Sequence, residues 1–307
     1  MFDYLTLVGC EIKLLIPVIV GIVIAKAGML NEDFSKKLTA FLLKVINPFL
    51  IIGSIIGIER SKENMIKMGK AAVVCLIFHL TAAGIAIIAT LFTKDIKAKS
   101  ISRFAIMFRN TGFFGMPLLI DLYGSIGGFY ASVELIIFNL ICWSYGIVVL
   151  SRANPGLKIN AKKIFVNPGM VASYIGIALY FSGLPLYQPI VGGVKTIGEA
   201  ATPIAMIIIG GMIARAPIKS FFCTLRTYHV CGVTLLLLPV ACFGILKLLG
   251  FSGELLAFGT IIAALPVGTN AATFSENYDI SPEFAAQQVG MSTLLTLLTI
   301  PLVLMLL

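Results

Sequence analysis

Two short segments of the 307-residue chain set polar side chains and helix-breaking residues inside apolar runs. The first reads Arg109-Asn110-Thr111-Gly112-Phe113-Phe114-Gly115-Met116-Pro117 and the second Leu265-Pro266-Val267-Gly268-Thr269-Asn270. Proline cannot donate a helical hydrogen bond, and each glycine weakens a helix by about 1 kcal/mol relative to alanine. In an apolar medium, backbone released from helical bonding survives only against protein or a water-filled cavity. Amide and hydroxyl groups at such a break, followed by the N-terminus of a restarting half-helix, suit an anion. Asn110, Thr111, Gly112, Val267, Gly268, Thr269 and Asn270 are thus candidate binding residues, with Arg109 as a cation beside them. Gly115, Pro117 and Pro266 are candidates for keeping the breaks open. The competing reading is a pair of packing kinks capped by their own Asn and Thr; the occurrence of two such segments favours a site.

Other ionisable residues inside apolar runs are functional candidates by their cost in lipid. Glu11, His79 and Glu134 could carry a coupling proton, although a packing role suits a lone histidine better. Lys195 and Glu199, four apart, could neutralise each other on one helix face. Lys13 and Lys44 read as side chains reaching toward an interface. Gln287 and Gln288 could bind a substrate or a cation, or bond between helices. An enzyme is disfavoured, because the chain has no HExxH, no GxSxG and no two aspartates within its apolar runs. Six cysteines (Cys10, Cys75, Cys142, Cys223, Cys231, Cys242) lie in or against apolar sequence without a CxxC pair. They read as buried small side chains, so neither a metal nor a cofactor is expected.

The elements that must position these residues follow from composition. Hydrophobic residues make up 59% of the chain and charged residues 12%, with a mean hydropathy of +1.02. An aqueous fold of this length could not hide so much apolar surface, so the expected class is an all-α integral membrane protein. Ten spans are expected at about 5–28, 38–58, 70–92, 101–122, 129–150, 168–183, 190–214, 225–249, 255–274 and 284–307. Glu11 and Lys13 interrupt the first run, which argues against a cleaved signal. The net charge of +9 comes without a lysine-rich or aromatic-basic run, so nucleic acid is not an expected partner. Loops on one face hold 14 basic residues, among them Lys94, Lys97, Lys99, Arg103, Arg152, Lys158, Lys162 and Lys163. The other face holds five: Arg60, Lys62, Lys67, Lys70 and Lys247. That bias orients the chain in a cytoplasmic membrane with both termini outside.

The halves resemble each other. Pro48 in the second span and Pro203 in the seventh lie 155 residues apart, and the same offset carries Thr111 onto Pro266. Pro48 and Pro203 therefore join the candidate helix-break residues. His79 and His229 are 150 apart in spans three and eight. Five spans per half is an odd number, so residues 168–307 must enter the membrane inverted relative to 1–151. The polar segment 152–167, with Asn154-Pro155-Gly156, reads as a cytosolic linker. Inverted repeats with broken helices at mid-membrane are an architecture of secondary transporters.

The residues Asn110 through Leu119 resemble the fourth-span signature of the auxin efflux carrier family. Ala264-Leu265-Pro266-Val267-Gly268, with Phe274, Tyr278 and Pro282, is similar to that family's ninth and tenth spans. Asn167-Pro168 and the Pro203, Gly210-Gly211 span also fit, so the resemblance covers the chain. It implies crossed helices four and nine and carriage of small organic anions, as by plant auxin exporters and bacterial carriers of malonate or malate. It further implies a homodimer, with spans 1, 2, 6 and 7 as a dimerising scaffold and spans 3–5 and 8–10 as a moving bundle. The long cytosolic loop of the plant exporters is absent. Arg109 departs from the pattern, which has a small or apolar residue there; it either reaches out of the apolar layer or adds a cation for a more highly charged substrate.

Energetics complete the expectation. Expelling one negative charge against an interior of about −100 mV gains about 2.3 kcal/mol. Neither break contains Asp or Glu, which suggests an uncoupled, potential-driven carrier, with coupling through Glu134 or His79 as the alternative. Proton- or sodium-coupled uptake, or an anion sensor that moves nothing, would use the same site.

Overall fold

A computed structural model of the protein describes residues 4–156, 166, 168–215 and 225–307. Every regular element among them is a helix. These are α1 (Tyr4–Lys26), α2 (Glu32–Ile56), α3 (Lys62–Ala89), α4a (Ile96–Met107), α4b (111–123), α5 (Ser125–Ser151) and α6 (Pro168–Ser182). There follow α7 (Gln188–Arg215), α8 (Leu225–Leu248), α9a (Gly253–Ala264), α9b (Asn270–Asn277) and α10 (Pro282–Leu304). By length and composition α2, α3, α5, α7 and α8 can each cross a bilayer, and α10 makes a sixth if its bent halves are one span. The expected fourth and ninth spans are each divided into pieces too short to cross alone. Most of the 152–167 linker, with Lys158, Lys162 and Lys163, lies outside the described residues, as do Lys219, Cys223 and the side chain of Glu11.

Several helices begin five to eight residues before the expected spans, because their start signals lie in polar sequence. Asn31 accepts from the Phe34 N–H ahead of α2, Ser61 from Asn64 ahead of α3, and Asp95 from Lys97 and Ala98 ahead of α4a. Each side chain satisfies an N–H that the first helical turn leaves free. The prolines act differently from one another. Pro48 follows a single wide π turn, Leu42–Ile46, and Pro239 follows another at Val233–Leu237. A widened turn accommodates a proline's missing N–H and its ring without ending the helix. Pro48 therefore bulges α2 and does not break it. At Pro203 the helical ladder of α7 lapses at Ala200, between Gln188–Glu199 and Ala201–Arg215.

The packing brings α1 along the 201–215 half of α7, and α6 with the 188–199 half onto 47–56 of α2. Small residues make the first contact possible: a Cβ on Gly21 would strike the Ile207 carbonyl, and one on Gly210 the Val18 carbonyl. Such close backbone approach drives helix association where lipid removes the hydrophobic incentive. Elsewhere α3 packs on α4a, α5, α8 and α9a, while α10 packs on α4a, α8, α9a and α9b. Cys75, Cys142, Cys231 and Cys242 are buried with free thiols.

Candidate functional site

Helices α4a and α9a unwind at neighbouring points, and the two breaks bond to each other. Helix α4a stops at Met107; Phe108 is extended (φ −113°, ψ 107°) and Asn110 sits at φ −81°, ψ 55°. Helix α9a stops at Ala264, and Leu265 is extended at φ −60°, ψ 155°. The Asn110 N–H donates to the Pro266 carbonyl at 2.9 Å, and the Gly268 N–H to the Phe108 carbonyl at 2.8 Å. Arg109 and Val267 thus face each other in an antiparallel bridge. Buried backbone groups need partners, and here the two breaks supply them reciprocally. A third donor, the Val267 N–H, reaches Ser292 Oγ on α10 at 3.0 Å.

Gly268 is required by proximity: a Cβ there would lie 3.0 Å from the Arg109 oxygen and 3.1 Å from that of Phe108. Pro266 lies within the break, where its lack of an N–H leaves nothing unsatisfied and its carbonyl is used. Pro117 does not sit at the break. It lies in the first turn of the regular helix Met116–Tyr123, beyond the π turn Thr111–Gly115, in which Phe114 and Gly115 both donate to the Asn110 carbonyl. Gly115 belongs to that same turn, packed beside Leu265. The halves stop at Met107 and Ala264 but restart at Thr111 and Asn270. The ninth break is therefore two residues longer than the fourth, and the 155-residue offset between prolines is not the offset between breaks.

The side chains at this junction are buried and poorly satisfied. Arg109 is 1% exposed; its Nη2 donates to the Ala105 carbonyl, while Nε and Nη1 have no partner. No carboxylate pairs with it among the described residues. Asn110 Nδ2 and Thr111 Oγ1 are likewise buried without partners. So are both amide atoms of Gln288 on α10, one turn before Ser292, and the Thr234 hydroxyl in the π turn of α8. The elements carrying Thr234 and Gln288 pack on each other and on α4a. Thr269 and Asn270 are half-buried, and the Cys142 thiol lies beside Asn270. Gly112 faces Leu135 of α5. Around this junction a guanidinium without a carboxylate partner and unused amide and hydroxyl groups are thus buried.

The remaining candidates fall elsewhere. His79 Nε2 and Glu134 Oε1 meet at 3.2 Å, both side chains buried. Gln287 accepts from Thr227 of α8 at 3.4 Å, a bond between helices. Lys13 bonds Asp121 of α4b at 2.8 Å, a partner the sequence pattern did not suggest. Lys195 and Glu199 form no ion pair with each other among the described residues. They line a cavity of about 290 Å³ with Phe49, Gly53, Gly57 and Gly128, between α2, α4b, α5 and α7. Toward the breaks this cavity reaches Ser54, whose hydroxyl touches Met116 Sδ at 3.9 Å; Asn110 and Thr111, one to two turns earlier, are sealed from solvent.

Ser292 was missed because serine in an apolar helix normally bonds its own preceding turn, and its role depends on where Val267 comes to rest. Replacing Ser292 with Ala strands the Val267 N–H and should cost about 1–3 kcal/mol, measurable as a lowered Tm in detergent.

The family described as membrane transport protein matches residues 10–163 and again 154–304 of this chain. Over 298 residues, 95% of each chain, it is 24% identical to a protein of Methanothermobacter thermautotrophicus named an uncharacterized transporter. Over 141 residues, 46% of this chain and 43% of the relative, it is 24% identical to a Rhizobium meliloti protein named "Putative malonate transporter".

Proposed function

The chain belongs to the membrane transport protein family, that of the auxin efflux carriers, and from that premise we propose that it is a secondary carrier of a small organic anion, a mono- or dicarboxylate. The family is one of transporters and not of enzymes. The observation that carries the reading is the paired break: Arg109 bridged to Val267, with Arg109 Nε and Nη1, Asn110 Nδ2 and Thr111 Oγ1 buried and without partners. A carboxylate between the two half-helix N-termini would take those donors and the positive dipole ends together. The name of the Rhizobium relative adds malonate as a first candidate.

In this proposal ten spans form two inverted repeats, 1–151 and 168–307, joined by the cytosolic linker 152–167. Both termini lie outside a cytoplasmic membrane. Helices α1, α2, α6 and α7 act as a scaffold that pairs with a second copy, supported by the glycine-mediated contact of α1 with α7 and the packing of α6 and α7 on α2. Helices α3–α5 and α8–α10 move as a bundle carrying the crossover of the fourth and ninth spans. Alternating access is then a motion of bundle against scaffold, and the cavity at Ser54, Lys195 and Glu199 lies along that boundary.

The test is binding of malonate, malate, succinate and lactate to the purified protein by thermal shift, with Asn110→Ala as the site variant. A hydrogen bond to a charged group is worth about 1.5–3 kcal/mol, so the variant should bind roughly tenfold to a hundredfold more weakly. Unchanged affinity in a well-folded Asn110→Ala protein removes Asn110 from the site.

A further inference from the structure

Resting on that carrier reading, we propose that His79 and Glu134 form a proton-binding site that moves one proton with the organic anion. The two side chains come from α3 and α5 and meet at 3.2 Å, 2% and 0% exposed. His79 Nδ1 and Glu134 Oε2 have no other hydrogen-bond partner. Phe78, Phe108 and Phe138 surround the imidazole with ring centroids 4.8, 6.2 and 6.5 Å away.

Proton counting in this apolar pocket selects one state. With a single proton the pair is neutral as a whole, whether carboxylic acid beside imidazole or carboxylate beside imidazolium. With none it carries −1, with two +1, and either isolated charge is expensive to bury. Closure around the pair therefore requires one proton, and hydration on opening allows its release. No covalent bond changes: the proton arrives from water on one face and leaves to water on the other.

The neighbourhood leaves this count undisturbed. On α3 the Cys75 thiol lies beside Glu134. On α5 the nearest titratable group toward one end is Tyr130, which faces Glu254 of α9a. From the break beyond α4a the cation is Arg109, which turns to Ala105 and toward Cys231 and Cys242 of α8. Among the described residues no lysine, arginine or further acid bonds either member of the pair.

The pair is also placed to act on the breaks. Phe108, which touches the imidazole, gives its carbonyl to Gly268, and Leu135, next to Glu134, packs against Gly112. Loading and emptying the pair is therefore felt where the fourth and ninth spans meet.

Proteoliposomes with a trapped pH dye and labelled malonate, the membrane potential clamped by valinomycin and potassium, test this. Wild type should move about one proton per malonate. Glu134→Gln should keep malonate exchange but lose proton movement at least tenfold, because imidazole beside an amide is neutral without an added proton, whereas His79→Gln leaves a lone buried carboxylate and should still move one. Proton movement persisting in Glu134→Gln would place the proton on the substrate and overturn the proposal, as would wild-type malonate flux without protons. If Glu134→Gln fails to fold, Glu134→Leu, equally unable to hold the proton, decides it by the same readout. Absence of wild-type flux for malonate and equally for malate, succinate and lactate contradicts the carrier reading itself, and the proposal falls with it.

Discussion

Replacing Arg109 with methionine should make the empty protein more stable and abolish carboxylate transport. Arg109 is among the largest fully buried side chains, with one hydrogen bond to Ala105 and two nitrogens unsatisfied. Breaking a buried ion pair costs about 3–5 kcal/mol because a charge is left uncompensated, and Arg109 is in that condition without any mutation. Methionine fills a similar volume flexibly and carries no charge. Against the lost Ala105 bond, worth about 1.5–3 kcal/mol with its charged donor, the empty protein should still gain roughly 1–2 kcal/mol in thermal unfolding. Carboxylate binding should weaken about a hundredfold, and Arg109→Lys should not restore it, since lysine lacks the planar fork. A methionine variant less stable than wild type would make Arg109 a structural strut.

The second large effect is expected at Gly268. A branched side chain there has its Cβ pressed against two carbonyl oxygens, at 3.0 and 3.1 Å, that belong to the facing break. To relieve that pressure the Gly268–Phe108 bond must lengthen and the bridge open. Gly268→Val should destabilise by about 1–3 kcal/mol and cut transport more than tenfold. Gly84 on α3 is the control: a Cβ there meets nothing within 4 Å, so Gly84→Ala should stabilise by roughly 0.5–1 kcal/mol and leave transport alone. Equal losses in the two variants would show that any glycine change in an apolar helix harms the protein.

The helical character and the two breaks were legible in the sequence because they rest on local chemistry: long apolar runs, and proline or glycine beside Asn and Thr. The consequences of each proline were less so. Pro117 and Pro266 look equivalent as letters, yet Pro117 follows a widened turn while Pro266 lies in extended backbone and accepts from Asn110. Whether a proline bulges, kinks or breaks a helix depends on what its freed carbonyl can find, and that partner lies on another element. For the same reason the offset between prolines misplaced the ninth break, which begins two residues and ends four residues later than that offset puts it. Long-range pairs were invisible: Lys13 with Asp121, Ser292 with Val267, and His79 with Glu134. The expectation of an uncoupled carrier drew on the lack of acids in the breaks themselves. The stated alternative, Glu134 or His79, joins the two residues across α3 and α5, and folding sets the pair against Phe108 at the edge of the break.

Lys195 and Glu199 show the opposite error. Their spacing allows a pair on one helix face, but both line the cavity beside α2 with no ion pair between them. A 3.6-residue period specifies a shared face and leaves open what that face meets.

Transport by this protein is tested most directly by counterflow. Proteoliposomes loaded with unlabelled malonate, malate, succinate or lactate are diluted into a trace of the same labelled anion. The labelled anion should accumulate transiently above equilibrium for at least one of the four, and the accumulation should fall about tenfold or more in Asn110→Ala. Saturable binding of these anions with no counterflow in wild type would contradict the account and make the protein a membrane sensor of the anion.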